Sequence, residues 1–222
     1  MGRRIRFVIG LLFFVTAVSA KIQLPSVLAD GMVLQQQTKV KLWGKASFNI
    51  GIKVRTSWDS KMYMTKSGKD GSWEIQVSTP VAGGPYEIMI DDGECLVLRN
   101  ILIGEVWLCS GQSNMEVPMR GFPYQPVLNS NKIIAKSNPS IPIRIYTSDM
   151  DENGNWTWQY SKKPQNDCIG RWMDNSSENV AYTSAVAYLY ACYLQEALKV
   201  PVGIIVSTLG GTQIEAWMSR EA

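Results

Sequence analysis

The 222-residue chain contains no histidine. With histidine absent and no Cys-x-x-Cys pair among Cys95, Cys109, Cys168 and Cys192, a zinc site is not expected. The same absence means that a nucleophilic serine in this chain finds no imidazole base among its own residues. The four cysteines admit three pairings, and their spacing does not choose between them. Basic residues are also scarcer than the formal charge of +3 implies. Three of the 22 Lys+Arg are Arg3, Arg4 and Arg6, which leaves 19 against 19 Asp+Glu in the remainder. No Lys/Arg-rich run follows, so there is no electrostatic footprint for nucleic acid. Neutral or weakly charged ligands such as sugars suit this balance better.

Long apolar runs are equally rare. The one at Phe7–Val18 follows the three arginines and ends in Ser19-Ala20, which is the layout of a secretory signal peptide. It falls short of the roughly 20 apolar residues that span a bilayer. Residues 1–20 are therefore expected to be a leader cleaved after Ala20, giving a secreted or periplasmic protein with no stable membrane anchor. Lys21, rather than a cysteine, at the new terminus offers no lipid attachment. Disulfides are permitted in such a compartment.

Residues 21–100 read as a small all-β sandwich. Val40–Gly44, Ile52–Trp58, Trp73–Val77 and Tyr86–Ile90 alternate apolar and polar positions. Lys69-Asp70-Gly71-Ser72 and Ala82-Gly83-Gly84-Pro85 supply turns between them. A last strand at Cys95–Leu98 closes the module, with a domain boundary expected near 99–101. Trp43, Trp58, Trp73 and Tyr86 occupy alternating strand positions, so core packing explains them better than a sugar-stacking face.

A new apolar run, Ile101–Cys109, breaks off at Ser110-Gly111 into Gln112-Ser113-Asn114-Met115-Glu116. This is a strand entering a tight turn. A serine just past the carboxyl end of a buried parallel strand lies where open α/β sheets bind ligands, which makes Ser113 a candidate nucleophile. Ser113 or Asn114 as a plain helix cap is the competing explanation.

Beyond it come a Pro- and Gly-containing loop, a short helix at 127–137 stopped by Asn138-Pro139, and a strand at Ile143–Tyr146. The polar stretch 149–177 is longer than an ordinary connection and carries Trp156, Trp158 and Trp172, candidates for a carbohydrate subsite or for anchoring the loop. Asn155-Trp156-Thr157 and Asn175-Ser176-Ser177 match the glycosylation sequon. Val180–Lys199 reads as one helix with Val186, Leu189, Tyr190, Tyr193, Leu194, Ala197 and Leu198 along its apolar face. Pro201 ends it. Val202–Ser207 is then a fully buried strand, and the helix-to-strand order implies a right-handed crossover in a parallel sheet. Its loop, Thr208-Leu209-Gly210-Gly211-Thr212, reaches the same sheet edge as Ser113.

Two long motifs in this order, Gly104-Glu105-Val106-Trp107-Leu108-Cys109-Ser110-Gly111-Gln112-Ser113-Asn114-Met115 and Gly210-Gly211-Thr212-Gln213-Ile214-Glu215-Ala216-Trp217, resemble those of the sialate O-acetylesterases of the SGNH-hydrolase superfamily. The early Asp30-Gly31-Met32-Val33-Leu34-Gln35-Gln36 belongs to the same resemblance. It implies an SGNH-hydrolase-like α/β fold, with a flavodoxin-like parallel sheet incomplete in this chain, after the β-sandwich. It implies a serine esterase that removes acetyl groups from sugars and needs no metal or organic cofactor. Ser113 would be the nucleophile. Its N–H and that of Gly211 would form the oxyanion hole, with Gly210 allowing close approach, and Gln112 and Asn114 are further candidates for substrate contact. The family carries its Asp-x-x-His and Gln-Gly-Glu motifs well beyond the Gly-Gly-Thr loop, so residues 101–222 are expected to be the amino-terminal part of the esterase domain. The rival reading is a sugar-binding protein on an esterase scaffold without the chemistry.

Overall fold

Alternating side chains build most of the first hundred residues into strands. The computed structural model describes residues 21–148 and 167–219, and within them the chain forms β1 (Val33–Gln35), β2 (Lys39–Lys45), β3 (Gly51–Thr56), β4 (Met62–Lys66), β5 (Ser72–Ser78), β6 (Gly83–Asp91) and β7 (Cys95–Gly111). There follow α1 (Ser113–Glu116), α2 (Ser130–Lys136), β8 (Ile143–Ser148), β9 (Gly170–Met173), α3 (Ser177–Tyr182), α4 (Ala185–Leu198), β10 (Val202–Thr208) and a 3₁₀ turn at Ile214–Trp217. The leader, Asn155, Trp156 and Trp158 lie outside the described residues. No helix among those described is long and apolar enough to cross a membrane.

β2 and β5 pair antiparallel as a two-stranded ribbon, and the other strands join one eight-stranded sheet in the order β4-β3-β6-β7-β10-β8-β9, with β1 also on β7. The sheet is mixed. β3, β4, β6 and the first part of β7 are antiparallel, whereas β10 runs parallel to both β7 and β8. Period-two alternation sends Ile52, Val54 and Thr56 of β3 inward, where they are fully buried, and their neighbours outward. Leu42 and Val77 of the ribbon meet Ile52, Val54, Ile88 and Ile90 of the sheet in one core. A second core lies between the parallel strands, through Ile143, Ile145, Val202, Ile204 and Val206, and helix α4.

The boundary expected near 99–101 is not a break. β7 runs unbroken for 17 residues from the antiparallel region into the parallel one. Between the pairs Leu98↔Ile88 and Ile101↔Tyr86, β7 uses one residue more than β6, and Asn100 takes φ +58°. A β-bulge of this kind turns the strand and raises its twist without ending it. The expected turn at Ala82–Pro85 is also displaced, because Gly83 already pairs with Ile103.

The single helix expected over Val180–Lys199 is two. Thr183, between α3 and α4, is extended, and Ser184 caps α4 by accepting the Ala187 N–H at 3.3 Å. The break is imposed by the loop after α1, which lies against the junction. Met119 N donates to Thr183 O at 2.8 Å, Arg120 N to Ala181 O at 3.0 Å and Ala185 N to Val117 O at 2.8 Å. The apolar face is rotated as well, with Leu189 and Leu194 of the expected face partly buried against the core. Ala185, Ala187, Tyr188 and Ala191 are buried, whereas Val186, Tyr190, Tyr193 and Leu198 are exposed. Three alanines let the helix axis come close to the sheet, with Tyr188 filling the space beside them.

Asn175 is fully buried, donating to Asn138 O at 3.2 Å and accepting from the Tyr188 hydroxyl at 2.8 Å. Its sequon is closed to modification in the folded chain. The four cysteines are free thiols. Burial pushes the Cys109 thiol up from its ordinary pKa, as expected of a core residue and not of a reactive one.

Candidate active site

The site begins with strand register. Thr208, at the end of β10, stands opposite Gly111 at the end of β7, and Leu209 N donates to Gly111 O at 3.0 Å. Two loops therefore leave neighbouring parallel strands at the same level, at the edge where such sheets bind ligands. Gly111 has φ +148°, and a Cβ there would stand 2.9 Å from Met115 Cγ. Only a glycine lets the chain fold back so tightly into α1.

Ser113 opens α1 and is exposed. Its hydroxyl donates to Gln112 Oε1 at 3.3 Å, so Gln112 touches the nucleophile candidate directly. Asn114 is exposed on the same turn and makes no side-chain hydrogen bond among the described residues. As the first residue of the helix, Ser113 has an N–H without an intrahelical acceptor.

The Gly-Gly-Thr loop comes to this serine. A Cβ built on Gly210 would lie 3.5 Å from Ser113 Oγ and against Glu116 Oε2, so any side chain there would push the Glu116 carboxylate aside. Gly210 N donates to Glu116 Oε2 at 3.0 Å. The Gly210 N–H thus serves Glu116, and Gly210 brings its loop close to Ser113. Gly211, the next residue, borders open space and its N–H has no acceptor among the described residues. Thr212 holds the loop end, its hydroxyl donating to Leu209 O at 2.8 Å and accepting from Trp217 Nε1 at 2.8 Å.

Glu116 bears no role that the sequence alone makes legible, although its place three residues after Ser113 sets both on one face of a helical turn. Beside it, a crevice of about 250 Å³ opens at the carboxyl ends of β8 and β10, lined by Arg120, Thr147, Tyr182, Thr183 and Val206 among others. Trp172 is elsewhere. Its indole donates to Val27 O at 2.8 Å and its ring lies 5.4 Å from that of Tyr146, so it anchors β9 on the sheet and takes no part in this crevice.

No family model matches the chain. Similarity to individual proteins is extensive. The chain is 30% identical over 210 residues to the sialate O-acetylesterase of Rattus norvegicus, covering 86% of the chain and 36% of that protein. To the Homo sapiens sialate O-acetylesterase it is 27% identical over 212 residues, covering 87% and 38%. The crystal structure of XAC1771, a carbohydrate acetylesterase from Xanthomonas citri, superposes with a TM-score of 0.79 at 33% identity, over 90% of this chain and 43% of that one. The chain thus spans well under half the length of the relatives it matches. Over most of its own length, this chain is a homologue of the sialate O-acetylesterases, on the fold of a solved carbohydrate acetylesterase.

Proposed function

We propose that this chain carries the nucleophile half of a carbohydrate O-acetylesterase, in which Ser113 Oγ attacks the carbonyl carbon of a sugar acetate. The observation that carries this is the approach of the Gly210-Gly211 loop to Ser113, with Gly210 held by Glu116 and Gly211 left open. Attack forms a C–O bond and moves the carbonyl π electrons onto oxygen, where the N–H groups of Ser113 and Gly211 receive them. Collapse expels the sugar oxygen, which leaves as a hydroxyl, and water then releases acetate from the acetyl-enzyme. The Oγ proton goes to a base that these residues do not include, and the resemblance assigns it to the Asp-x-x-His segment lying past the region matched here. Export through the leader at 1–20 would place the enzyme where acetylated glycans are met.

The lack of histidine favours one other reading, a sugar-binding protein without chemistry. Chemical rescue separates the two. Imidazole supplied in solution should speed acetate release from an O-acetylated monosaccharide by this chain, over the release seen with Ser113→Ala at the same imidazole concentration. Equal rates for the two proteins would refute the nucleophile assignment.

A further inference from the structure

The first hundred residues carry an open groove that the esterase reading leaves unused. Alternation along β2 sets Leu42 into the core and turns Lys41, Trp43 and Lys45 to the outer face of the β2–β5 ribbon, where Trp43 stands opposite Glu74. The other aromatics are accounted for. Trp73 is buried, and Trp58 donates its indole N–H to Ser78 O at 2.9 Å and packs edge-on against Tyr86. Trp43 differs. It packs partly against the core but also lines the groove, and its indole N–H has no acceptor among the described residues and stays open to solvent. Core packing, expected for all four, therefore explains Trp43 only in part.

The groove holds about 840 Å³ between the ribbon, the edge strand β4 and the segment at Leu24-Pro25. Its charges balance, with Lys41, Lys45 and Lys66 against Asp70, Glu74 and Asp167. Such a lining favours neither polyanions nor polycations. Part of the rim is fixed. Lys45 Nζ donates to Asp70 O, Asp70 Oδ2 and Ser72 Oγ at 3.2, 3.0 and 2.6 Å, which uses its three protons. Asp167 accepts from Ser26 N at 3.0 Å and from Ser26 Oγ at 2.9 Å. The rest is open. Lys41 gives one proton, to Glu74 Oε2 at 3.0 Å, and Lys66 gives none to a described residue. Free donors on Lys41, Lys66 and Trp43 thus line one groove with the free acceptor Glu74 Oε1.

A ligand suited to this lining carries no net charge, gives and accepts hydrogen bonds at several points and offers an apolar face to an indole. Sugars meet all three conditions. Each hydroxyl both donates and accepts, and the C–H faces of the ring are apolar. Tryptophan, with an apolar body and one polar tip, serves where one end of a contact is apolar and the other wet. The volume lies in the upper part of the roughly 300–1,000 Å³ range of drug-sized sites, which fits a short oligosaccharide better than a single ring. We infer that this groove is a glycan-binding site, taking a short neutral oligosaccharide across Trp43 with Lys41 and Glu74 on its hydroxyls. It shares no lining residue with the crevice beside Glu116, so the site stands apart from Ser113 and from the acetyl-ester chemistry. Its effect would be to hold the protein on a glycan chain between encounters with acetyl groups.

The test is calorimetric titration of the full chain with tetrasaccharides free of acetyl esters, namely cellotetraose, xylotetraose and mannotetraose, beside the charged probes tetralysine and tetraglutamate. Wild type is expected to bind at least one tetrasaccharide in the millimolar range or tighter, and neither peptide. Trp43→Ala should weaken that binding at least tenfold. Trp43→Tyr, which keeps an aromatic face and a polar tip, should stay within threefold. The double variant Lys41→Ala/Glu74→Ala removes an exposed ion pair without changing the net charge. An exposed pair contributes little to stability, so this variant should melt with wild type and still bind at least fivefold more weakly, which keeps the test valid where Trp43→Ala disturbs the fold. Ser113→Ala should bind as wild type does. Wild-type affinity in Trp43→Ala or in the double variant would overturn the inference. So would loss of binding in Ser113→Ala, binding of a peptide alone, or no measurable binding of any tetrasaccharide.

Discussion

Glu116 Oε2 accepts the Gly210 N–H at 3.0 Å, tying the turn that carries Ser113 to the loop that carries Gly211. A hydrogen bond to a charged acceptor contributes on the order of 1.5–3 kcal/mol. Glu116→Ala should therefore loosen the loop, and amide exchange at Gly210 should speed by about tenfold or more. Glu116→Gln keeps an acceptor oxygen in place and should stay near wild type. Unchanged exchange at Gly210 in Glu116→Ala would show that the contact does not hold the loop.

Ser184 starts α4 after the interruption at Thr183. Its hydroxyl accepts the Ala187 N–H, one of the donors that the first helical turn leaves unpaired. Ser184→Ala should cost about 1 kcal/mol, read as a lower denaturant midpoint with an unchanged slope.

Which face of α4 is buried can be tested by two substitutions of opposite kind. Ala191 is fully buried against the sheet, so Ala191→Leu should overpack the core and destabilise by about 1–3 kcal/mol. Val186, half exposed, should tolerate serine within about 0.5 kcal/mol. The reverse ranking in urea titrations would restore the face chosen by side-chain size.

Asp59 gives the fold a sensitivity to acid. Burial pushes its carboxyl up, but hydrogen bonds from the Thr56 hydroxyl, the Lys61 N–H and the Tyr63 hydroxyl, with the Lys61 ammonium at 3.5 Å, outweigh it and hold the pKa below its ordinary value. A carboxyl depressed on folding stabilises fully above its unfolded pKa of about 3.9. That contribution disappears as pH falls through the lower, folded value. Unfolding midpoints should therefore fall more steeply below about pH 4 in wild type than in Asp59→Asn, and parallel curves would show that Asp59 contributes nothing to acid stability.

The strands that could be read in advance were those whose alternation is strong. β3 and β5 show it in Ile52-Lys53-Val54 and Trp73-Glu74-Ile75, and β10 shows the unbroken apolar run of a covered strand. β1 has three residues, too few for a period, and β4 turns Met62 and Met64 outward, so hydrophobicity there points away from the core. The break before α4 was invisible because nothing in Tyr182-Thr183-Ser184 forbids a helix. The loop at Val117–Arg120 imposes it from elsewhere in the chain. At the site, Ser113, Gly210 and Gly211 were legible as motif residues. Glu116 was not, because its role arises from a contact between segments 94 residues apart.

The most direct test of the nucleophile assignment is the intact mass of the chain after exposure to a serine-directed fluorophosphonate, with and without imidazole. A single adduct mapping to Ser113, faster with imidazole and absent from Ser113→Ala, is the result this account predicts. Equal labelling of Ser113→Ala, or no adduct under either condition, would contradict it.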